Sequence, residues 1–273
     1  MKSKIIISLA AVVLLAFGCA TNPFTGEKTL ALVPNSQILP MAFQQYSQFL
    51  SEHKVVKNTS DAQMVNNVGH KIAAAAEKYL TAHGYAGYLN DYRWEYNLVD
   101  SKEMNAWCMP GGKIVIYTGI LPITKDEAGL AAVMGHEVAH ALANHGQQRM
   151  SAAQLQQLGA VAGNVALANN PENQQIFNTA YGLGTNVGVM LPFSRSHESE
   201  ADKIGLTLMA IAGYDPIVAA ELWERMAAQE KGAAPPEFLS THPSSGTRIQ
   251  NIRSWAPAAK AEARKYGVTN FRK

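Results

Sequence analysis

Two histidines and a glutamate lie at the spacing that a hydrolytic metal site requires. The chain contains the run His136-Glu137-Val138-Ala139-His140. In a helix the two imidazoles lie one turn apart on one face, so both can bind a single Zn²⁺ ion. Glu137 lies about 100° further round the helix and can reach a metal-bound water. Zinc lowers the pKa of that water to about 7, and a neighbouring carboxylate can take its proton during attack on a carbonyl. The motif predicts a zinc endopeptidase with one Zn²⁺ per chain.

A catalytic zinc needs a third protein ligand, and a later segment offers one. Glu198 and Asp202 are four residues apart on a second predicted helix and therefore share a face. Glu198 can coordinate the metal while Asp202 orients an imidazole from behind. His197 is a rival third ligand. The elongated HExxHxxGxxH motif is excluded, because Ala143 and Gly146 occupy its last two positions.

Several elements must position these residues. The HExxH helix is predicted to begin at Thr124 with a capping box to Glu127 and to end at Gly146. The segments 94–98, 106–109 and 113–117 have the alternating or β-branched pattern of a small antiparallel sheet. Other helices are predicted over residues 41–50, 60–80 and 196–212, with another starting at Asp215-Pro216 and a helical hairpin within 150–191.

The order of these motifs is similar to that of a known family. HExxH is followed by Ser-Arg-x-x-Glu-x-Glu-Ala-Asp at residues 194–202, then by Thr-His-Pro-Ser at 241–244 and Arg-Ile at 248–249. This arrangement resembles the CAAX-prenyl-protease-type zinc metallopeptidases from about residue 59 onward, and Pro-x-Thr-Gly at 23–26 resembles their bacterial lipoprotein members. The resemblance implies a mainly helical α+β, gluzincin-like metallopeptidase domain over residues 59–273.

The resemblance also implies roles for individual residues. It makes His136, His140 and Glu198 the zinc ligands, Glu137 the base and Asp202 the group behind a ligand. It places His242 and Arg248 at the rim of the site, and it makes the strand Asn105, Ala106, Trp107 and Cys108 the edge that binds substrate. Two roles stay open for His242, which can donate to a tetrahedral oxyanion or bind zinc and hold the enzyme shut.

The N-terminus has the features of an export signal. Lys2 and Lys4 precede an apolar run, so residues 1–18 are predicted to be a signal peptide. Ala16-Phe17-Gly18-Cys19 resembles a lipobox, which would make Cys19 the site of lipidation; ordinary cleavage after Ala20 is the alternative. Residues 19–58 are then a lipid-anchored tether and a first helix.

These features lead to a predicted setting and role. Without Lys2 and Lys4 the chain has 21 basic and 21 acidic residues, and this balance predicts no nucleic-acid partner. We expect an outer-membrane lipoprotein of a bacterial envelope that faces the periplasm, where it degrades misfolded or unassembled proteins, with outer-membrane assembly proteins as further partners. The alternatives are a zinc-bound chaperone or assembly factor with gated peptidase activity, and an esterase or other metallohydrolase.

Overall fold

The computed structural model describes residues 18–185, 190–229 and 236–273. The basic start and apolar run of the predicted signal peptide lie outside these residues. The chain forms two compact units. The smaller unit contains residues 18–38 and 144–197, and the larger unit contains residues 39–143 and 198–273.

The described residues form six strands and ten α-helices. In chain order they are β1 (Cys19–Thr21), β2 (Lys28–Leu30), α1 (Asn35–Glu52), β3 (Val55–Val56), α2 (Ser60–Ala82), β4 (Glu95–Val99), β5 (Ala106–Met109), β6 (Lys113–Tyr117), α3 (Leu121–Thr124), α4 (Glu127–Leu142), α5 (His145–Ala166), α6 (Pro171–Thr185), α7 (Leu191–Ile211), α8 (Ile217–Ala227), α9 (Glu237–Thr241) and α10 (Gly246–Arg264).

The smaller unit contains the N-terminal strands and a helical hairpin. Strands β1 and β2 pair antiparallel, and β2 packs against α5. The Leu32 N–H donates to Ser151 Oγ at 3.0 Å, and Gln147 Nε2 donates to the Val33 carbonyl at 2.7 Å. The extended tether expected after Cys19 is therefore a strand hairpin attached to α5. Helices α5 and α6 pack together as the predicted helical hairpin.

The larger unit contains the sheet and the HExxH helix. The strand order is β3-β4-β6-β5. Strands β5 and β6 pair antiparallel, as do β3 and β4, but β4 and β6 pair in parallel. The sheet is therefore mixed. Helix α4 packs against α2, β5 and α8, and every residue from Ala128 to Leu142 is buried. The predicted mainly helical α+β, gluzincin-like class with a small sheet is confirmed.

Both ends of the HExxH helix differ from the prediction. Its N-cap is Asp126, whose side chain accepts from the Gly129 N–H at 2.9 Å, because Thr124 ends the separate helix α3. The Glu127 carboxylate accepts from Tyr214 Oη at 2.8 Å instead of bonding back to a cap. The helix ends at Leu142, before Gly146. Neither change moves the motif off the helix.

A helix that crosses a membrane must be both long and apolar. Within the described ranges, we find no helix that combines the length and the apolar character needed to cross a membrane.

Candidate functional site

Helix α4 places the three motif residues inside the larger unit. His136, Glu137 and His140 are 3%, 4% and 6% exposed. The one-turn spacing brings the Nε2 atoms of the two histidines to 3.1 Å from each other. At this distance two N–H groups would clash, so the two Nε2 atoms cannot both be protonated. At least one of them therefore has a free lone pair. The pair is therefore suited to a shared metal ion.

Helix α7 brings its two carboxylates to opposite sides of one imidazole. Glu198 has its Oε1 at 3.2 Å from His140 Nε2 and its Oε2 at 3.3 Å from His136 Nε2. Asp202 lies behind, with Oδ1 at 3.0 Å from His136 Nδ1. The carboxylate at Nε2 can be a ligand, and the carboxylate at Nδ1 fixes the tautomer of the ring. These positions agree with the roles predicted for Glu198 and Asp202, which stay predictions.

His242 joins the same cluster from the C-terminal end of the short helix α9. Its Nδ1 lies 3.0 Å from both carboxylate oxygens of Glu198 and 3.1 Å from His136 Nε2. Its Nε2 lies 3.4 Å from Glu137 Oε1. The ring packs at 4.7 Å from the Phe238 ring. His242 therefore has one nitrogen at the ligand cluster and the other at the carboxylate expected to act as the base.

The residues present fit a zinc ion. One donor atom each from His136, His140, Glu198 and His242 lie within 4.8 Å of one another. Tetrahedral zinc with Zn–N bonds of about 2.0–2.1 Å holds its ligand atoms roughly 3.3 Å apart. His136 Nε2 lies 3.1–3.3 Å from donors of the other three residues, and Glu198 Oε1 lies 3.0 Å from His242 Nδ1 and 3.2 Å from His140 Nε2, in agreement with that geometry. Three imidazoles and one carboxylate are also the ligand types that zinc prefers.

Burial and the neighbouring charges set the protonation of the cluster. Burial raises the pKa of Glu198, but hydrogen bonds from His136, His140 and His242 outweigh it and hold this pKa far below its ordinary value. Burial lowers the pKa of His140 well below its ordinary range. Burial also lowers the pKa of His136, yet bonds to Asp202 and Glu198 raise it to about 9. An ionised Glu198 and a neutral His140 are the forms that bind a metal.

Arg248 lies inside the site, whereas the sequence placed it at the rim. It is 8% exposed. Its Nε and Nη2 donate to the two carboxylate oxygens of Asp202, both at 2.7 Å, and Nη2 is also 3.2 Å from Glu198 Oε2. Arg248 therefore contacts two carboxylates that lie next to the imidazoles. A role in holding Asp202 agrees better with these contacts than a role at the surface.

The strand expected to bind substrate is the edge strand β5. The Tyr117 N–H donates to the Asn105 carbonyl at 3.1 Å. Because antiparallel pairs alternate, the main-chain groups of Trp107 then also face β6, and those of Ala106 and Cys108 face outward. The Ala106 N–H donates to Asn105 Oδ1 at 2.8 Å. Cys108, and Ala106 through its carbonyl, are thus the positions where an added strand can pair.

The side chains of β5 point to different surroundings. Trp107 packs edge-on against Phe49 at 4.9 Å and Tyr46 at 6.0 Å. Cys108 is half-buried; its burial raises the pKa of the thiol well above its ordinary value, and the Glu137 carboxylate adds to this effect. Trp107 therefore packs against α1, and its main-chain groups face β6, not the outer edge.

Two other predicted residues belong to the smaller unit. His197, the rival third ligand, donates from Nε2 to Gln148 Oε1 at 3.1 Å and stacks on His145 at 4.1 Å between ring centroids. The group of metal-binding side chains found among the described residues does not include it. Cys19, the predicted lipidation site, is exposed in β1.

Two glycines that the sequence did not single out determine how the two site helices meet. A Cβ on Gly135 would lie 2.9 Å from the Gly205 carbonyl oxygen, and a Cβ on Gly205 would lie 2.9 Å from the His136 nitrogen. The backbones of α4 and α7 are therefore in direct contact beside His136. A glycine next to HExxH was the one signal that sequence reasoning could have used.

Comparison with known proteins supports the same chemistry. The model of peptidase family M48 matches residues 61–256. The mitochondrial metalloendopeptidase OMA1 of Schizosaccharomyces pombe is 41% identical over 64% of this chain and 50% of its own length. OMA1 of Saccharomyces cerevisiae is 37% identical over 71% and 56%. The Escherichia coli β-barrel assembly-enhancing protease is 25% identical over 86% and 47%. The chain spans about half the length of these relatives.

The relatives contradict the predicted location. Proteins named as mitochondrial match from two yeasts, Arabidopsis thaliana, Bos taurus and Homo sapiens, at 28–41% identity, above the 25% of the bacterial protease. The prediction of a bacterial outer-membrane protein facing the periplasm is therefore wrong. A basic start and an apolar run predict targeting, but they do not specify the destination membrane.

The CAAX-prenyl-protease-type resemblance is correct at the level of the broader family, since the matched model extends from α2 into α10 and includes the whole ligand cluster. A metal site of this composition, inside a domain of this family, accounts for both the motif and its surroundings. The chain belongs to peptidase family M48.

Proposed function

We propose that this chain cleaves peptide bonds within extended segments of unfolded or unassembled proteins, with His136, His140 and Glu198 as zinc ligands and Glu137 as the base. The observation that carries the proposal is the position of Glu137. It follows the first ligand on α4, its Oε1 lies 3.4 Å from His242 Nε2, and α4 packs against the edge strand β5. A base, three ligands and a substrate edge thus occur together in one unit.

The ligands and the base divide the chemical work. Zn²⁺, when bound, supplies the Lewis-acid chemistry that amide hydrolysis needs near neutral pH. The Glu137 carboxylate is 4% exposed, and it takes the proton from the attacking water and passes it to the amine that leaves. His242 Nε2 lies 3.4 Å from Glu137 Oε1, so it can donate a hydrogen bond to a tetrahedral oxyanion that forms next to the base. Burial of this region excludes bulk water that would weaken these interactions.

The substrate class follows from the edge of the sheet. Strand β5 is the last strand in the order β3-β4-β6-β5, and its outward groups belong to Ala106 and Cys108. An extended peptide can pair there through main-chain hydrogen bonds that do not depend on its sequence. A folded protein offers few free extended segments, whereas an unfolded or unassembled one offers many. Selection of substrates by their lack of structure supports a role in protein quality control.

A digestion experiment tests this function. The full chain, its Glu137→Gln variant and a chelated sample with and without added zinc are each incubated with an unfolded protein. We expect cleavage by the wild type, loss in the variant and the chelated sample, and recovery with zinc. Glu137→Gln should still bind one zinc ion, because the base is not a ligand. If the variant cuts as fast as the wild type, Glu137 is not the base.

A second candidate is a zinc-bound chaperone or assembly factor whose peptidase centre is gated by His242. The specific observation is that His242 Nδ1 belongs to the group that can hold the ion. A fourth protein ligand closes the position that a catalytic site keeps open. In that case His242→Ala should increase the cleavage rate. If His242 instead stabilises an oxyanion, the same variant should lose about 10²-fold or more in kcat.

Lipidation of Cys19 and association with a membrane through that lipid stay predictions. Mass analysis of the protein produced in its own cells, with Cys19→Ala as the control, would detect an attached lipid.

A further inference from the structure

A buried indole lies at the end of a chain of contacts that leads to the first motif histidine. Trp223, on α8, is 3% exposed, and its ring centroid is 3.5 Å from the Arg248 guanidinium carbon. Arg248 donates two bonds of 2.7 Å to Asp202, whose Oδ1 is 3.0 Å from His136 Nδ1. Four side chains from α8, α10, α7 and α4 are thus connected in sequence.

The ring determines the plane in which the guanidinium lies. A guanidinium has all its N–H donors in one plane, and its two faces form no hydrogen bonds. An aromatic ring stacked on one face stabilises the cation and excludes water from that face. In this plane Arg248 bonds both oxygens of Asp202, the bidentate geometry that holds a carboxylate most firmly. The indole therefore fixes the orientation of the carboxylate by fixing the arginine.

Arg248 has a second carboxylate within reach. Its Nη2 lies 3.2 Å from Glu198 Oε2, so a tilt of the guanidinium would strengthen the contact with this ligand at the expense of Asp202. Such a tilt would neutralise the ligand carboxylate and release the imidazole of His136 from its partner. Both changes oppose metal binding. The Trp223 ring, stacked on one face of the guanidinium, prevents this tilt.

Trp223 also lines the space behind the histidine. Its ring is 5.9 Å from the His136 ring at an interplanar angle of 77°. Trp223, His136 and Asp202 share a cavity of about 10 Å³, which is close to the smallest space that holds one water molecule. A smaller side chain would enlarge this cavity and admit water next to the bond between His136 and Asp202.

We propose that Trp223 is a positioning residue for the zinc ligand His136 and acts through Arg248 and Asp202. The inference rests on the proposed function, because it takes His136 as a ligand. Trp223 is not in the metal-binding group, and its ring centroid is 5.9 Å from that of His136. Its loss should therefore weaken zinc binding and lower kcat while leaving the KM for peptide unchanged.

Two substitutions distinguish loss of the aromatic ring from loss of side-chain volume. Trp223→Leu removes the aromatic face, and Trp223→Phe keeps one. Zinc affinity is measured by competition with a chromophoric chelator, and kcat and KM are measured at saturating zinc. We expect Trp223→Leu to lose about 10- to 100-fold in zinc affinity, the range for partners that orient a ligand, and Trp223→Phe to stay within about threefold. Trp94→Leu, at a ring that packs against Gly112 and Tyr96, controls for loss of a tryptophan and should keep wild-type affinity.

The results that would overturn the inference are distinct from failure of the proposed function. Equal losses in the Leu and Phe variants, or wild-type affinity in Trp223→Leu, would overturn the positioning role. If the wild type itself bound no zinc, the proposed function would fail instead. Should Trp223→Leu not fold, Trp223→Met, whose flexible side chain adapts to the space without supplying a ring, carries the same expectation.

A double-mutant cycle tests the route. Arg248→Lys removes the planar fork, so Trp223→Leu should have little further effect on zinc affinity in that background. Additive losses would show that the indole acts without the arginine and would overturn the proposed route.

Discussion

Helices α4 and α7 touch through their backbones at Gly135 and Gly205. The distances at this contact predict how far Gly205→Ala would push the helices apart. An alanine Cβ at position 205 would lie 2.9 Å from the His136 nitrogen and 3.0 Å from the Gly135 carbonyl carbon, whereas ordinary contact begins at 3.4 Å. Both neighbouring atoms are backbone, so no side chain can turn aside. The helices must separate by about 0.5 Å, which is the difference between these distances.

This separation affects the metal site more than the stability of the fold. Alanine favours a helix over glycine by about 0.5–1 kcal/mol, and overpacking costs about 1–3 kcal/mol, so the net loss of stability is about 0–2.5 kcal/mol. The bond from His136 Nδ1 to Asp202 is 3.0 Å long, and a further shift of about 0.5 Å takes it to the limit of a hydrogen bond. Zinc sites tolerate shifts of only about 0.2 Å. We expect Gly205→Ala to lose about 10- to 100-fold in zinc affinity.

The assay is chelator competition, together with melting temperatures of the zinc-loaded and chelated proteins. Gly182→Ala is the matched control, because Gly182 lies within α6 with no atom within 4 Å of a Cβ, and it should bind zinc like the wild type. If Gly205→Ala bound zinc with wild-type affinity while folded, close approach of the two backbones would not be what holds Glu198 and Asp202 at the histidines.

Three further predictions concern other parts of the larger unit. Asp202→Asn keeps an acceptor for the imidazole but removes the charge that pairs with the buried Arg248. Zinc affinity, measured by chelator competition, should therefore fall about 10- to 100-fold. An unchanged affinity would contradict this prediction. Cys108→Pro removes an outward N–H of β5, so kcat/KM for extended peptides should fall while zinc affinity stays the same, and equal cleavage would argue against strand pairing. Hydrogen bonds from Tyr214 and Lys71 lower the pKa of Glu127, so its ionised form stabilises the fold above pH about 4.5 and this contribution is lost as the pH falls through the lowered value. Chelated Glu127→Gln should therefore melt below the wild type at pH 7 and approach it in acid, whereas a constant difference would count against this linkage.

The candidate ligands could be predicted to lie together in pairs because their spacing depends on local helical geometry. The four-residue spacings from His136 to His140 and from Glu198 to Asp202 place each pair on one face of any regular helix. The structure brings both pairs together as expected. The expected start of the HExxH helix was wrong because Thr124 and Asp126 are both good caps, and only the separate helix α3 decides between them.

Contacts between segments that are distant in the sequence could not be predicted from residue spacing. The sequence placed Arg248 at the rim, yet it is buried between Asp202 and Trp223, because the packing of α10 against α8 determines its surroundings. The parallel pairing of β4 and β6 has no signature in either strand alone. The same holds for the N-terminal hairpin on α5.

The sequence by itself predicted the chemistry that we propose for this protein: the types of the candidate ligands, their spacing along two helices, and a candidate base beside the first of them. Its tertiary structure decided how these groups meet, through the contact of Gly135 with Gly205, the approach of His242, and the stacking of Trp223 on Arg248. The physical reason is one of range. Helical periodicity repeats every 3.6 residues and is encoded locally, whereas the distance between two helices depends on the packing of all the side chains between them.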